Sequence, residues 1–365
     1  MNELSIPTDH QHFQIKPGER SGLPVMIGVH STLLGPAIGG LRIKPYLRNS
    51  DAVADVLRLS QAMTVKAAAI DNGTGGGKTV VPLPCGMELS PALKDAILLD
   101  VADHVHALGG IYHVGPDVGT GEADMDAIRR RTPYVGGFSK QAGGAGGTTY
   151  GTFIGLDTAI RTAVLEVLRA KSMAGLHVSV VGLGGIGSLI ARSYAAEGAR
   201  LSVSDIDDSR RELADELGAD WLAPNEAMTV SCDVLAPCAL GGVLTSDNVH
   251  LLASQVICGA ANNQLATDDV SDRLKKRGIT YIPDFIANAG GLMYASGIEV
   301  HHRSAEASDA HTRATIARNV TTLLQDATER DQTTLAAAIT LAENRLDAAR
   351  TRFGRKRLPT GERLS

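Results

Sequence analysis

The chain has 365 residues, a length that normally divides into two domains. With 44% hydrophobic and 21% charged residues it has the composition of a globular protein, and a net charge of −5 supplies no broad basic surface for nucleic acid or an anionic membrane. No apolar run reaches the roughly 18 residues that span a bilayer, and the polar segment 1–20 lacks a basic-then-apolar leader. The cysteines, Cys85, Cys232, Cys238 and Cys258, form no C-x-x-C pair. Together these features predict free thiols in a reducing, cytoplasmic setting.

Taken in chain order, residues 24–30 are predicted as a strand and 51–66 as a helix with Val53, Val56, Leu57 and Met63 on one side. A short strand is predicted over 79–83. Ser90 caps the next helix and Pro91 fills its first turn. Leu93, Ile97, Val101, Val105 and Leu108 form its stripe, Gly109 closes it, and 111–114 is a strand. Forty glycines cluster at 35–40, 73–77, 143–147 and 182–187, where they allow close backbone approach or hinging. The cluster at 141–147 is the expected hinge, followed by a helix over 149–170. Strands at 177–181, 200–204, 233–236, 255–258 and 280–283 then alternate with helices. That alternation predicts an α/β protein whose second part is a doubly wound parallel sheet of Rossmann type. The domains are expected at 1–142, joined by C-terminal helices within 327–365, and at 148–310, with a cleft between them. Two apolar stripes (Ile316, Val320, Leu323, Leu324 and Leu335, Ile339, Ala342, Leu346) mark helices that pack back on the first domain or on a partner subunit. The tail from 350 is expected to fray.

The strongest single motif is Val180-Val181-Gly182-Leu183-Gly184-Gly185-Ile186-Gly187, which fits G-x-G-x-x-G between a strand and a helix. Asp205 ends the next strand 18 residues after Gly187, near the offset expected of a ribose-binding acid. The first glycine makes the turn, the second admits a pyrophosphate, and the third lets helix and sheet close up. The helix N-terminus offers N–H groups to the phosphates. A second glycine run, 72–79, only imitates a triphosphate-binding loop: it starts with Asn72 and leads into strand-like Thr79-Val80-Val81-Pro82 rather than a helix.

Lys66 and Lys78 stand among apolar or glycine residues. They either hold an anion or work deprotonated, each lowering the other's pKa, or they snorkel to water from element ends. Asp117 follows a strand end, where open α/β sheets bind ligands; it either exchanges protons with a substrate amine or caps a turn after Pro116. The histidines show no metal-ligand spacing: His104 and His106 point apart on a helix, and His301-His302 reads as solvated. No metal is expected, and without G-x-S-x-G a serine hydrolase is not supported.

With these residues in view, the chain resembles the amino-acid dehydrogenases of the glutamate, leucine, phenylalanine, valine and tryptophan type. The resemblance runs from about Val25 to Leu346. It rests on Gly35-Pro36-Ala37-Ile38-Gly39-Gly40-Leu41-Arg42, on the helix 57–68 ending near Lys66, on Gly75-Gly76-Gly77-Lys78, and on Asp117-Val118-Gly119-Thr120. Segments 232–242, 259–264 and 283–291 match the nucleotide-domain motifs. The resemblance implies that Lys78 polarises the reacting carbon's oxygen and activates water, and that Asp117 shuttles protons. It implies that Lys66 holds the substrate carboxylate, with Gly39, Gly40, Met63, Asn262 and Leu292 shaping the substrate site. Cofactor contacts would come from Arg42, Thr148, Gly182, Leu183, Gly184, Gly185, Ile186, Gly187, Asp205, Ile206, Cys238, Ala239, Asn262 and Asn288. Domain closure would exclude water from hydride transfer. The glycine-rich, short 143–147 loop departs from relatives, as do Val114 and Gly115.

The implied reaction is oxidative deamination of an apolar L-amino acid to its 2-oxo acid and ammonia, by a homo-oligomer. Asp205 favours NAD over NADP by repelling a 2′-phosphate. Ile38, Met63, Leu292 and Ala295 are uncharged pocket candidates, so a second substrate carboxylate is not expected. Branched aliphatic side chains are slightly favoured and aromatic ones are the alternative, since one methylene discriminates by only ~1–3 kcal/mol. A non-catalytic NAD-binding sensor on this scaffold would not need Lys66, Lys78 and Asp117. A 2-hydroxy-acid dehydrogenase would need a histidine–carboxylate pair near an arginine, which the sequence does not display.

Overall fold

A computed structural model describes residues 9–353. The chain divides into two compact units. Among the described residues, the first holds those up to Gly147, together with Ala295–Arg303 and those from Ala342 onward; the second holds Thr148–Tyr294 and Ser304–Leu341. Among the described residues no helix is long and apolar enough to cross a membrane.

The first unit starts with β1 (His12–Pro17), β2 (Pro24–Ser31) and β3 (Ala37–Pro45), followed by α1 (Asn49–Ala69), β4 (Gly75–Leu83) and α2 (Pro91–His106). β5 (Tyr112–Pro116) and α3 (Glu122–Arg129) follow. The sheet order is β1-β2-β4-β3-β5, with β1 and β2 antiparallel to their neighbours and β4, β3 and β5 mutually parallel. Alternation along the strands sorts the core into two layers. Val25, Ile27, Leu41, Val81 and Tyr112 face α2 through Ile97, Leu98 and Val101. Met26 and Val80 face α1 through Ala52, Val53, Val56 and Leu57. The stripe expected on α1 is therefore its buried side. Ser90 caps α2 as expected, accepting from the Leu93 N–H at 3.3 Å.

β3 and the two-residue strand Asp220–Trp221 were not expected from the sequence, and β4 and β1 also differ from the expectation. β4 was expected to begin at Thr79, after a glycine loop; it begins at Gly75, and all nine of its residues are buried. The glycines are there for contact. A Cβ on Gly76 would lie 2.1 Å from the Thr64 amide nitrogen of α1, and one on Gly77 would lie 2.6 Å from the Tyr112 ring. β1 was not expected at all, because an edge strand with little burial carries no apolar run.

The second unit contains α4 (Thr149–Ala163), a single π turn (Val164–Leu168), β6 (His177–Val181), α5 (Gly185–Ala196) and β7 (Arg200–Ser204). It continues with α6 (Arg211–Leu217), β8 (Asp220–Trp221), α7 (Pro224–Thr229), β9 (Cys232–Pro237), β10 (Ser254–Ile257), α8 (Asp269–Lys276), β11 (Thr280–Tyr281) and α9 (Asp284–Ala287). All six strands are parallel in the order β8-β7-β6-β9-β10-β11, the doubly wound arrangement whose switch point lies between β6 and β9.

Three further helices follow, α10 (Gly290–Glu299), α11 (Ala305–Glu329) and α12 (Thr334–Phe353). Ile316, Val320 and Leu323 of the expected stripe are fully buried. In α12, Ala342 and Leu346 are buried while Ile339 is 38% exposed. Within the first unit, Arg345 of α12 donates to the Ala68 and Ala69 carbonyls that end α1, at 3.0 and 2.6 Å. Most of the tail expected to fray lies outside the described residues.

Candidate active site

In the first unit, the side chain of Lys78 leaves β4 on the face that α1 covers, two residues from both Gly76 and Val80. Arg42 pairs with Val80 across β3 and β4 and shares that face. Asp117 follows the end of β5 directly. Its turn is fixed by Thr120, whose hydroxyl accepts from the Asp117 N–H at 2.9 Å and donates to the Leu41 carbonyl at 2.9 Å. Gly40 makes room for it, since a Cβ there would sit 2.6 Å from the Asp117 Cβ.

These elements bring three charges into contact. Lys78 Nζ lies 2.8 Å from Asp117 Oδ2, and Arg42 Nε donates to the same oxygen at 2.7 Å. Lys78 is only 5% exposed, so the snorkelling alternative does not hold for it. Burial pushes its amine down from the ordinary lysine value; Asp117 opposes that shift and Arg42 adds to it. Burial is thus the main cause, where the sequence reading had invoked the second lysine. Burial alone would raise Asp117, but the Lys78 ammonium and the Arg42 guanidinium outweigh it and hold the carboxyl below the usual range. A buried amine of depressed basicity against an ionised carboxylate has the chemistry to relay a proton.

Behind the pair stands an acid that sequence reasoning missed. Asp55 of α1 accepts from Arg42 Nη1 at 2.9 Å, from the Tyr46 hydroxyl at 2.7 Å and from Arg58 at 2.7 Å. Burial would raise it; these three donors hold it at about 2 instead. Its sequence signal was weak, a lone acid on an amphipathic helix. Arg42, expected near the cofactor, is engaged by Asp117 and Asp55. Lys66 lies half-buried in the last turn of α1, with Met63 half-buried one turn earlier. Gly39 is buried because a Cβ would fall 1.7 Å from the Gly77 carbonyl oxygen, so strand contact alone requires glycine there. His301, expected in solvent, is half-buried and bonds through Nε2 to the Asn72 carbonyl at 3.0 Å. The expected hinge is also tied within this unit: Glu299 accepts from the Gly137 and Ala145 N–H groups at 2.7 and 3.0 Å.

The second unit gathers the remaining expected residues around the β6–α5 turn. Gly182 has φ +102°, and a Cβ on Gly187 would lie 1.8 Å from the Gly182 carbonyl oxygen, so both positions require glycine. Gly184 differs: a Cβ there would meet nothing within 4 Å. Its missing side chain serves no packing and leaves the helix N-terminus open to a pyrophosphate. Asp205 accepts from the Leu183 N–H at 2.6 Å and the Asp207 N–H at 3.0 Å, which sets its carboxylate beside the turn. Ile206 next to it is 91% exposed. At the switch point, Cys238 N–H donates to the Val181 carbonyl at 2.8 Å, and Ala239 packs over Gly182. Asn288 is buried and donates to Asn262 Oδ1 at 2.8 Å and to the Ala260 carbonyl at 3.2 Å, orienting Asn262. Thr148 is exposed at the start of α4, and Leu292 is half-buried in α10. The glycine turn, the open Gly184 and the placed carboxylate fit a dinucleotide.

Comparison with known proteins agrees with this geometry. Residues 8–134 match the family profile described as Glu/Leu/Phe/Val dehydrogenase, dimerisation domain, and residues 202–354 match Glutamate/Leucine/Phenylalanine/Valine dehydrogenase. The leucine dehydrogenase of Geobacillus stearothermophilus is 36% identical over 289 residues, 78% of this chain and 77% of that protein. The chain belongs to the Glu/Leu/Phe/Val dehydrogenase family. A valine dehydrogenase of Streptomyces virginiae is 36% identical, covering 93% of this chain and 95% of the relative. The crystal structure of L-tryptophan dehydrogenase from Nostoc punctiforme aligns with a TM-score of 0.83 at 32% identity, covering 94% of this chain and 97% of the other. As a Glu/Leu/Phe/Val dehydrogenase, the protein is a pyridine-nucleotide-dependent oxidoreductase that oxidatively deaminates an amino acid.

Proposed function

We propose that this dehydrogenase acts on an apolar L-amino acid with NAD, releasing the 2-oxo acid and ammonia, with branched aliphatic side chains slightly favoured. The observation that carries the mechanism is the buried Lys78 amine, 2.8 Å from Asp117. Lys66 holds the substrate carboxylate, and Gly39, Gly40, Met63, Asn262 and Leu292 bound the rest of the substrate. The dinucleotide, held by the 182–187 turn, Asp205, Ile206, Cys238, Ala239, Asn288 and Thr148, supplies a hydride acceptor for the α-hydrogen. Asp117 first takes a proton from the substrate ammonium, and loss of a hydride from the neutral amine leaves a substrate iminium. Lys78 then steers a water molecule onto the iminium carbon and takes one of its protons, forming a carbinolamine. Asp117 returns its proton to the nitrogen and then takes the carbinol O–H proton as the C–N bond breaks, so that ammonia departs and the carbonyl forms. Arg42 keeps Asp117 ionised ahead of each proton uptake.

The aromatic alternative stays open. The L-tryptophan dehydrogenase of Nostoc punctiforme matches over 92% of this chain and the valine dehydrogenase of Streptomyces virginiae over 93%, so the extent of the match does not separate the two readings. A panel of L-amino acids with NAD, followed by NADH absorbance, separates the readings. Leucine, isoleucine or valine should lead; leading turnover of phenylalanine or tryptophan would reverse the preference, and no turnover of any apolar amino acid would end the proposal. A homo-oligomer is also proposed, in keeping with the dimerisation-domain profile.

NAD preference rests on Asp205. The wild-type enzyme should show the higher kcat/KM with NAD. Asp205→Ser should lower that value about 10- to 100-fold, the cost of a lost hydrogen bond to a charged group, while leaving NADP turnover level or improved. A wild-type preference for NADP would overturn the role of Asp205.

A further inference from the structure

Sequence spacing offers no metal-ligand motif, but the fold of the first unit assembles one from distant parts. Asp9 and His10 precede β1, which runs antiparallel to β2 and so returns them to His30. Asp9 Oδ1 lies 3.1 Å from His10 Nδ1, and Asp9 Oδ2 lies 3.3 Å from His30 Nε2. One ligand atom from each of the three residues lies within 4.8 Å of the others, and the two rings meet edge to face at 4.9 Å.

The outer hydrogen bonds allow both ring lone pairs to point inward. His10 Nε2 lies 3.2 Å from the Leu57 carbonyl, a pure acceptor, and 2.8 Å from Ser60 Oγ. In the tautomer that carries its proton on Nε2, His10 donates to these oxygens and turns the Nδ1 lone pair toward Asp9. His30 Nδ1 lies 2.9 Å from Thr64 Oγ1, which also lies 3.4 Å from the Ser60 carbonyl oxygen. In the tautomer that donates through Nδ1 to this hydroxyl, His30 turns the Nε2 lone pair toward Asp9 as well. In these tautomers two imidazole lone pairs face one carboxylate, and the three ligand atoms lie within 4.8 Å of one another, an arrangement that a cation among them stabilises.

A single divalent cation satisfies all three groups. The 3.1 and 3.3 Å separations, each to a different oxygen of the Asp9 carboxylate, are close to the about 3.3 Å ligand–ligand spacing of a tetrahedral site with ligand distances of ~2.0–2.1 Å. The hydroxyl and carbonyl behind each ring are the outer partners that fix the tautomers of metal-binding histidines.

We propose that Asp9, His10 and His30 bind a divalent transition-metal ion of the zinc type, with water completing the coordination, and that the ion fastens residues 9–10, just before β1, to β2. The site is structural and independent of the deaminase assignment.

The test uses the full chain stripped of metal with a chelator and titrated with Co²⁺ alone. Stoichiometric uptake with the visible absorption of a tetrahedral N/O cobalt site is expected, displaced by Zn²⁺, together with a rise in Tm on adding Zn²⁺. Asp9→Asn, His10→Ala and His30→Gln should each weaken Co²⁺ binding at least about tenfold. Asp9 is exposed, so its variant keeps the test valid if a histidine variant fails to fold. No uptake up to millimolar Co²⁺, or uptake unchanged in the Asp9 and His30 variants, would overturn the proposal. So would NMR titration of the metal-free protein showing both imidazoles charged at neutral pH.

Discussion

Asp117→Asn is expected to lose about 10²- to 10⁴-fold in kcat, the usual worth of a positioned general acid–base group. The side chain keeps its shape and can no longer take up or release the proton. It also removes the one carboxylate shown in contact with Lys78, which opposes the effect of burial on that amine. The Lys78 pKa should therefore fall further, and the limb of the kcat/KM profile that it governs should move to lower pH. A merely structural role for Asp117 would leave that limb in place. Stability should drop by up to about 3 kcal/mol, the low end for a broken buried pair, because the Asp117 side chain is still 23% exposed. The acid side of the stability curve checks the sign. The native pKa of Asp117 is lowered, so its contribution is complete above the ordinary aspartate value and disappears as pH falls through the native one. The variant should lack this acid-side loss. A variant retaining a tenth or more of wild-type kcat would remove Asp117 from the chemistry.

Gly76→Ala should damage the fold as heavily as any single methyl can. The added carbon would lie 2.1 Å from the Thr64 nitrogen and 2.6 Å from the Ser60 carbonyl oxygen, both backbone atoms of α1. No rotamer change relieves the clash, so α1 has to lift from β4. The cost should reach about 3 kcal/mol, the top of the ordinary range for overpacking. The denaturation midpoint should fall at unchanged m-value, and activity should fall too, since α1 carries Asp55, Met63 and Lys66. Gly184→Ala is the matched control. Its methyl meets nothing within 4 Å, so stability should stay within ~0.5 kcal/mol while dinucleotide affinity drops. A Gly76→Ala protein as stable as wild type would show that helix and strand are not held in contact here.

These contrasts explain what could be read before any coordinates. The β6–α5–β7 segment was legible nearly residue for residue, because a buried strand, a glycine turn, an apolar helix and a terminal acid are all local patterns. Gly75–Gly77 misled because glycine signals flexibility in sequence, whereas here it records how closely α1 and Tyr112 approach. β1 escaped because an edge strand needs little burial. The contact between Lys78 and Asp117 joins β4 to the turn after β5, and no spacing rule connects the two; only the family resemblance suggested their partnership. Asp55 and the Asp9–His10–His30 cluster are likewise products of tertiary folding. Nothing local marks an acid that will meet an arginine from another strand, or a histidine that antiparallel pairing will deliver to a distant one.

Because β4 buries both of its faces, its reading frame is as consequential as its composition. Sliding the strand by one position would turn the Lys78 amine toward the α2 layer and force Thr79 against α1. A deletion or insertion of one residue between Gly73 and Gly77 should therefore be more harmful than many core substitutions, although that stretch looks like a tolerant loop on paper. For anyone reshaping this enzyme's substrate range, the segment belongs with the parts whose length must be left alone.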